Sequence, residues 1–189
     1  MSLSKQTVGV LDSGRDEHAG LATGVGVLLA ELGVNLLTGG GRGVMMSVAR
    51  AYTEAPRTRG ISIGIIPCAS IDQRSVPKPG YPNPFIELPI YTHLPYSGRL
   101  GTDDLSRNHI NVLSSNAIVA LPGGEGTAAE IALALRYGKP VIMYASHPAM
   151  FERLVGPELR RAESIAEVEA FLRGHLLGSI RSGNGEEAL

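Results

Sequence analysis

Short apolar runs, each closed by a glycine or proline turn and followed by a helical pattern, recur along this chain and restrict it to one kind of architecture. Thr7-Val8-Gly9-Val10-Leu11, Val34-Asn35-Leu36-Leu37, Gly60 to Ile66, residues 116–121 and Val141-Ile142-Met143-Tyr144 all have the length and apolar content of buried strands. Helical patterns fall between them: about Glu17 to Leu32 with Gly33 as its stop, Val44 to Glu54, about Thr102 to Ser115, and a stretch reaching Tyr137. Strands that alternate with helices predict an α/β fold with a mostly parallel sheet and right-handed crossovers. Ser164-Ile165-Ala166-Glu167 reads as a capping box opening a last helix to about Leu177. No internal repeat or linker divides the 189 residues, so a single domain over 1–177 is expected. The glycine-rich, polar stretch 178–189 is expected to be a disordered tail.

Charge and composition narrow the function classes. The net charge of −1 argues against a general nucleic-acid or polyanion binder. No segment approaches the ~20 apolar residues of a membrane span, and Met1 to Lys5 leaves no room for a signal peptide before the first strand. Cys68 is the single cysteine, which rules out an internal disulfide and points to a reducing, cytoplasmic setting. Histidines 18, 93, 109, 147 and 175 lack metal-ligand spacing, so no metal site is expected. Lys5, Lys78 and Lys139 have no Schiff-base setting, which disfavours a pyridoxal enzyme. No cofactor is expected to be required.

Residues 68–98 break the strand–helix rhythm. Prolines at 77, 79, 82, 84, 89 and 95 make this an irregular excursion, with a short strand expected within Phe85 to Tyr91. Connections this long in a compact domain are usually functional or disordered.

Chemistry concentrates in two glycine turns at strand-to-helix junctions. One is Gly39-Gly40-Gly41-Arg42-Gly43; the other is Pro122-Gly123-Gly124-Glu125-Gly126-Thr127-Ala128-Ala129-Glu130. In a parallel sheet both fall at the carboxyl edge, where doubly wound folds bind ligands. Neither is a full dinucleotide fingerprint, because Val44 stands where the third glycine belongs, and neither is a P-loop. A single phosphate or small nucleotide fits better, held by free N–H groups and a helix dipole. Glu130 follows about one turn later. Two readings of it stay open: a catalytic carboxylate, or the acidic half of a Thr127–Glu130 capping box. A carboxylate ~4 Å from a phosphate is repelled by about 4 kcal/mol at an effective dielectric near 20, which calls for a nearby cation. Arg107 is the candidate, although an arginine on a helix also suits a solvated face. Gly60-Ile61-Ser62-Ile63-Gly64 matches a nucleophile elbow as a string, but its strand continues through Ile66 where the elbow needs a helix.

Pro122 to Glu130 resembles the PGGxGTxxE motif of the Lonely Guy phosphoribohydrolases, a lysine-decarboxylase-like superfamily. Gly39 to Met45 resembles its GGGxxGLM motif shortened by one residue, and the likeness spans roughly residues 7 to 145. The resemblance implies a Rossmann-like doubly wound single domain, dimeric or larger. It also implies hydrolysis of the N-glycosidic bond of a nucleoside 5′-monophosphate (a cytokinin riboside monophosphate or AMP-like) to free base and ribose 5-phosphate. Carried over by position, Glu130 and Arg107 become catalytic, while Gly39, Gly40, Gly41, Gly43, Gly123, Gly124, Gly126 and Thr127 bind phosphate or nucleotide. One departure stands out: the enzymes usually read Met-His-x-Arg-Lys where this chain has Asp104-Leu105-Ser106-Arg107-Asn108. The stretches 107–116 and 126–135 look more like the related molybdenum-cofactor carrier proteins, which bind a phosphorylated pterin without needing to cleave it. The partner implied is thus a nucleoside monophosphate or a pterin, and neither nucleic acid nor membrane.

Overall fold

The structure is a computed structural model that describes residues 6–11, 18–56, 60–145 and 159–182, with backbone alone for 177–182. Its strands are β1 (Thr7–Leu11), β2 (Asn35–Thr38), β3 (Ser62–Ile66), β4 (Leu88–Tyr91), β5 (Ala117–Ala120), β6 (Val141–Tyr144) and β7 (Arg160–Ala162). Its helices are α1 (Ala19–Leu32), α2 (Val44–Glu54), α3 (Asn108–Leu113), α4 (Glu125–Arg136) and α5 (Ile165–Ser182). The seven strands form one sheet in the order β4-β3-β2-β1-β5-β6-β7, and every neighbouring pair is parallel. This is a single-domain, Rossmann-like α/β fold.

Side-chain alternation along the strands builds a core on each face. Val8, Val10, Leu36, Ala117, Val119, Leu121 and Ile142 join the buried residues of α1, α2 and α5. Leu11, Ile118, Ala120, Val141 and Met143 instead meet Val112 of α3 and Ile131, Leu133 and Ala134 of α4. Burial on both faces is what makes the strands read as continuous apolar runs.

The chain builds outward from β1 through β4 on one side, then returns to β5 beside β1 and builds outward the other way. Val8 therefore pairs with both Leu36 and Ala117. The reversal leaves a crevice outside the carboxyl ends of β1 and β5, the place where open α/β sheets receive ligands.

Several sequence expectations need adjusting. The helix expected over 102–115 is only α3, Asn108–Leu113. Asp103 Oδ1 accepts the Leu105 N–H at 2.9 Å and Ser106 Oγ accepts the Asn108 N–H at 3.2 Å. Such local side-chain bonds favour turns over helix. The excursion 68–98 is held to the sheet, and its expected short strand is the parallel edge strand β4, paired Ile63↔Leu88 to Ile66↔Tyr91. β7 has no counterpart in the sequence reading, since Arg160 and Arg161 are exposed and carry no apolar signal. The capping box before α5 is present: Glu167 Oε2 accepts the Ser164 N–H at 3.0 Å, and Ser164 Oγ accepts the Glu167 N–H at 3.4 Å. That helix runs to Ser182, five residues past its expected end and into the stretch read as a tail. Residues 12–17, the residues before Gln6 and the stretch 183–189 lie outside the described residues.

Candidate functional site

A cleft of about 530 Å³ opens at the reversal point, lined by Val10, Gly39, Met45, Lys78, Tyr81, Ser97, Gly98, Arg107, Asn108, Gly124 to Thr127 and Glu130. Its volume lies in the range of small-molecule sites. Each wall comes from a different part of the fold. β1 supplies Val10, the turn after β2 supplies Gly39, the start of α3 supplies Arg107 and Asn108, and the first turns of α4 supply the rest of the deep end.

α4 begins at Glu125 with Gly124 as its N-cap, so Thr127 is the third helical residue and cannot cap the helix. The capping-box alternative for Glu130 falls with it, because the Glu130 carboxylate is engaged elsewhere. Its Oε1 accepts from Asn111 Nδ2 at 2.9 Å, a contact between α4 and α3. Glu130 is 8% exposed. Burial pushes its carboxyl above the ordinary carboxylate range, while the Arg107 charge and the Asn111 amide pull the other way without reversing the shift.

Arg107 is buried at the N-cap of α3, and its guanidinium lies directly against Gly39. A Cβ on Gly39 would occupy the position of the guanidinium itself. Arg107 Nε and Nη1 have no hydrogen-bond partner among the described residues, and neither does Thr127 Oγ1. Buried donors rarely stand unpaired, since each costs about 1–3 kcal/mol. Here they sit on two walls of one cleft, at the amino end of a twelve-residue helix.

The structure brings Arg107, Glu130, Thr127, Gly124, Gly126 and Gly39 together around the cleft. Gly40, Gly41, Gly43 and Gly123 are not among the residues that line it. Gly40 and Gly43 take positive φ values of 72° and 66°, which shape the turn, and Gly41 backs the Tyr81 ring. Sequence reasoning missed Asn108, Asn111, Lys78 and Tyr81. Asn111 stands one helical turn after Arg107, a spacing that places both on one face of α3. Lys78 and Tyr81 lie in the excursion, where no periodicity marks them. Ser62, buried inside β3, is no elbow nucleophile. Among the described residues no group of His, Cys, Asp or Glu could hold a metal ion, and no helix is long and apolar enough to cross a membrane.

The model of the SLOG cluster4 family matches residues 5–170 of this chain. The chain belongs to that family. An uncharacterised protein of Archaeoglobus fulgidus is 34% identical over 136 residues, covering 71% of this chain and 76% of the relative. Among solved structures, the molybdenum cofactor carrier protein of Chlamydomonas reinhardtii is 31% identical, with a TM-score of 0.69 over 92% of this chain and 99% of that one. The molybdenum cofactor binding protein of Rippkaea orientalis is 29% identical, with a TM-score of 0.66 over 94% of this chain and 98% of that one. This SLOG cluster4 chain therefore shares its fold, over about nine-tenths of its length, with a molybdenum cofactor carrier protein and a molybdenum cofactor binding protein.

Proposed function

We propose that this SLOG protein binds a phosphorylated small molecule of the molybdenum-cofactor type and holds it without cleaving it. One observation carries the reading: Arg107 Nε and Nη1 and Thr127 Oγ1, all buried and unpartnered, line a cleft at the N-terminus of α4. A phosphate there would accept from the guanidinium, the threonine hydroxyl and the first N–H groups of α4, each charge-assisted bond contributing about 1.5–3 kcal/mol. The residues thus fit a phosphorylated pterin, whose phosphate they would hold. The molybdenum travels as cargo.

Two features favour carriage over hydrolysis. The position next to Arg107, a lysine in the Lonely Guy enzymes, is the buried neutral amide Asn108. The Glu130 carboxyl is buried, and its Oε1 is taken by Asn111 Nδ2 at 2.9 Å, a bond that ties it to α3. The second reading, phosphoribohydrolase activity on a nucleoside 5′-monophosphate, draws support from one observation: Glu130 lines the same cleft as Arg107.

Incubating the protein with AMP and other nucleoside monophosphates while measuring free base separates the two readings, alongside equilibrium binding of molybdenum cofactor. The expected result is tight cofactor binding and no base release. Base release that disappears in Glu130→Gln would establish the hydrolase instead.

A further inference from the structure

Asn108 follows Arg107 into the first turn of α3 and is only 2% exposed, yet it lines the cleft. Its backbone N–H is satisfied by Ser106 Oγ at 3.2 Å. Its side-chain amide has no hydrogen-bond partner among the described residues. Burial without a partner is costly for an amide, so one placed in a cleft wall is available to a ligand.

The segment 97–101 holds that amide against the start of α4. A Cβ on Gly126 would come within 3.9 Å of the Gly98 backbone. Arg99 Nε donates to both carboxylate oxygens of Glu125, the first residue of α4, at 2.9 Å and 3.2 Å. Gly101 then fits between two side chains: a Cβ there would stand 2.6 Å from the Ala129 Cβ and 2.8 Å from Asn108 Nδ2. The Asn108 amide and the Ala129 methyl therefore converge on one point beside the opening turns of α4. Ala128 is the first residue of that helix whose N–H reaches a carbonyl behind it, Gly124 O at 3.0 Å. The N–H groups of Glu125, Gly126 and Thr127 stay open. Arg107 Nε and Nη1, Thr127 Oγ1 and Asn108 Nδ2 add unpartnered side-chain donors at the same end of the cleft.

We propose that Asn108 is a specificity-determining residue of this anchor: its Nδ2 donates to the third terminal oxygen of a phosphate, so that the cleft selects a phosphate monoester over a phosphodiester. The inference rests on the binding reading above, which supplies the phosphate. A lysine at this position would attract any anion as a point charge. The neutral amide instead makes one directed bond, and it is left unpaired when the oxygen it needs is esterified. The ligand class is thus a small molecule that ends in its phosphate, not one whose phosphate links it to a further nucleoside.

Calorimetry with hydroxymethylpterin phosphate, its methyl phosphodiester and unphosphorylated hydroxymethylpterin tests this. The unaltered protein should bind the monoester at least about tenfold more tightly than the diester. Asn108→Leu, of similar volume, should weaken the monoester by about tenfold and leave the diester unchanged, so that most of the preference disappears. Asn108→Asp sets a negative charge in the same place and should weaken the monoester further, while the unphosphorylated pterin binds as it does to the parent. Equal affinity of the unaltered protein for monoester and diester, or an equal loss of both in Asn108→Leu, would overturn the role of Asn108 and leave the binding reading standing. A monoester and a diester that both bind no better than the unphosphorylated pterin would overturn the binding reading itself.

Discussion

The turn after β2 and the turn after β5 are both runs of glycine at the carboxyl edge, both end a parallel strand, and both open a helix. Their glycines answer to different neighbours. In the first turn protein atoms fill the space that side chains would take: the Arg107 guanidinium against Gly39 and the Tyr81 ring against Gly41. In the second turn a Cβ on Gly124 would meet nothing within 4 Å, and one on Gly126 would meet only Gly98 backbone at 3.9 Å. The first turn is glycine-rich so that the cleft-lining side chains Arg107 and Tyr81 can pack onto it. The second is glycine-rich so that the backbone N–H groups of α4 stay open to the cleft. One motif builds the tools and the other presents a surface.

Four perturbations sharpen or break that contrast, the largest effect first. Arg107→Met removes the cation that the first turn shapes, and ligand affinity should fall by about two orders of magnitude, read by calorimetry. Because the guanidinium is buried with unpaired nitrogens, the ligand-free variant should melt no lower than the parent. A marked loss of stability would mean that Arg107 is structural. Gly39→Ala should cost about 1–3 kcal/mol of stability from overpacking and weaken ligand binding together, measured by urea denaturation and calorimetry. Tolerance of alanine there would dissolve the distinction between the turns.

The third perturbation concerns Glu130, whose folded carboxyl is raised above its ordinary 4.5. A raised acid binds its proton more tightly in the folded state than in the unfolded one. Its stabilising contribution is therefore present at low pH and is lost as pH rises through the folded value. Glu130→Gln keeps the Asn111 bond through its amide oxygen and removes the titration. The variant should gain stability relative to the parent as pH rises above the ordinary carboxylate range, with the two closest at the acid end. Parallel melting curves across that rise would contradict the desolvated carboxyl. The smallest effect is at the second turn: Gly126→Ala should stabilise the protein by about 0.4–1 kcal/mol, since the residue is helical and its surroundings are open. Its methyl group should weaken ligand binding severalfold all the same, a split that a purely structural glycine cannot produce.

Much of this fold was legible because both sheet faces are covered. Val141–Tyr144 and Val44–Glu54 read correctly to the residue, since apolar periodicity and flanking glycine or proline agreed there. α3 read too long because its expected first turns are taken by Asp103 and Ser106 bonding to local backbone, a competition that apolar spacing does not register. β7 is a three-residue edge strand whose arginines face outward, so nothing in its pattern marks it. In the site, Glu130 and Thr127 could be found from motif spacing, and Arg107 from the need for a cation together with the family resemblance. The Asn111–Glu130 bond could not, because it depends on how α3 packs against α4. Lys78 and Tyr81 were hidden for a related reason: their placement comes from Asn83 gripping the Gly40 and Gly41 carbonyls, a contact between distant segments.

The central claim is that a phosphate group anchors the ligand between Arg107 and the start of α4. It is met most directly by calorimetric comparison of a phosphorylated pterin with the same pterin lacking its phosphate. The phosphorylated form should bind about a hundredfold more tightly, and Arg107→Met should erase most of that difference. Equal affinity for the two pterins, or a phosphate preference untouched by Arg107→Met, would contradict it.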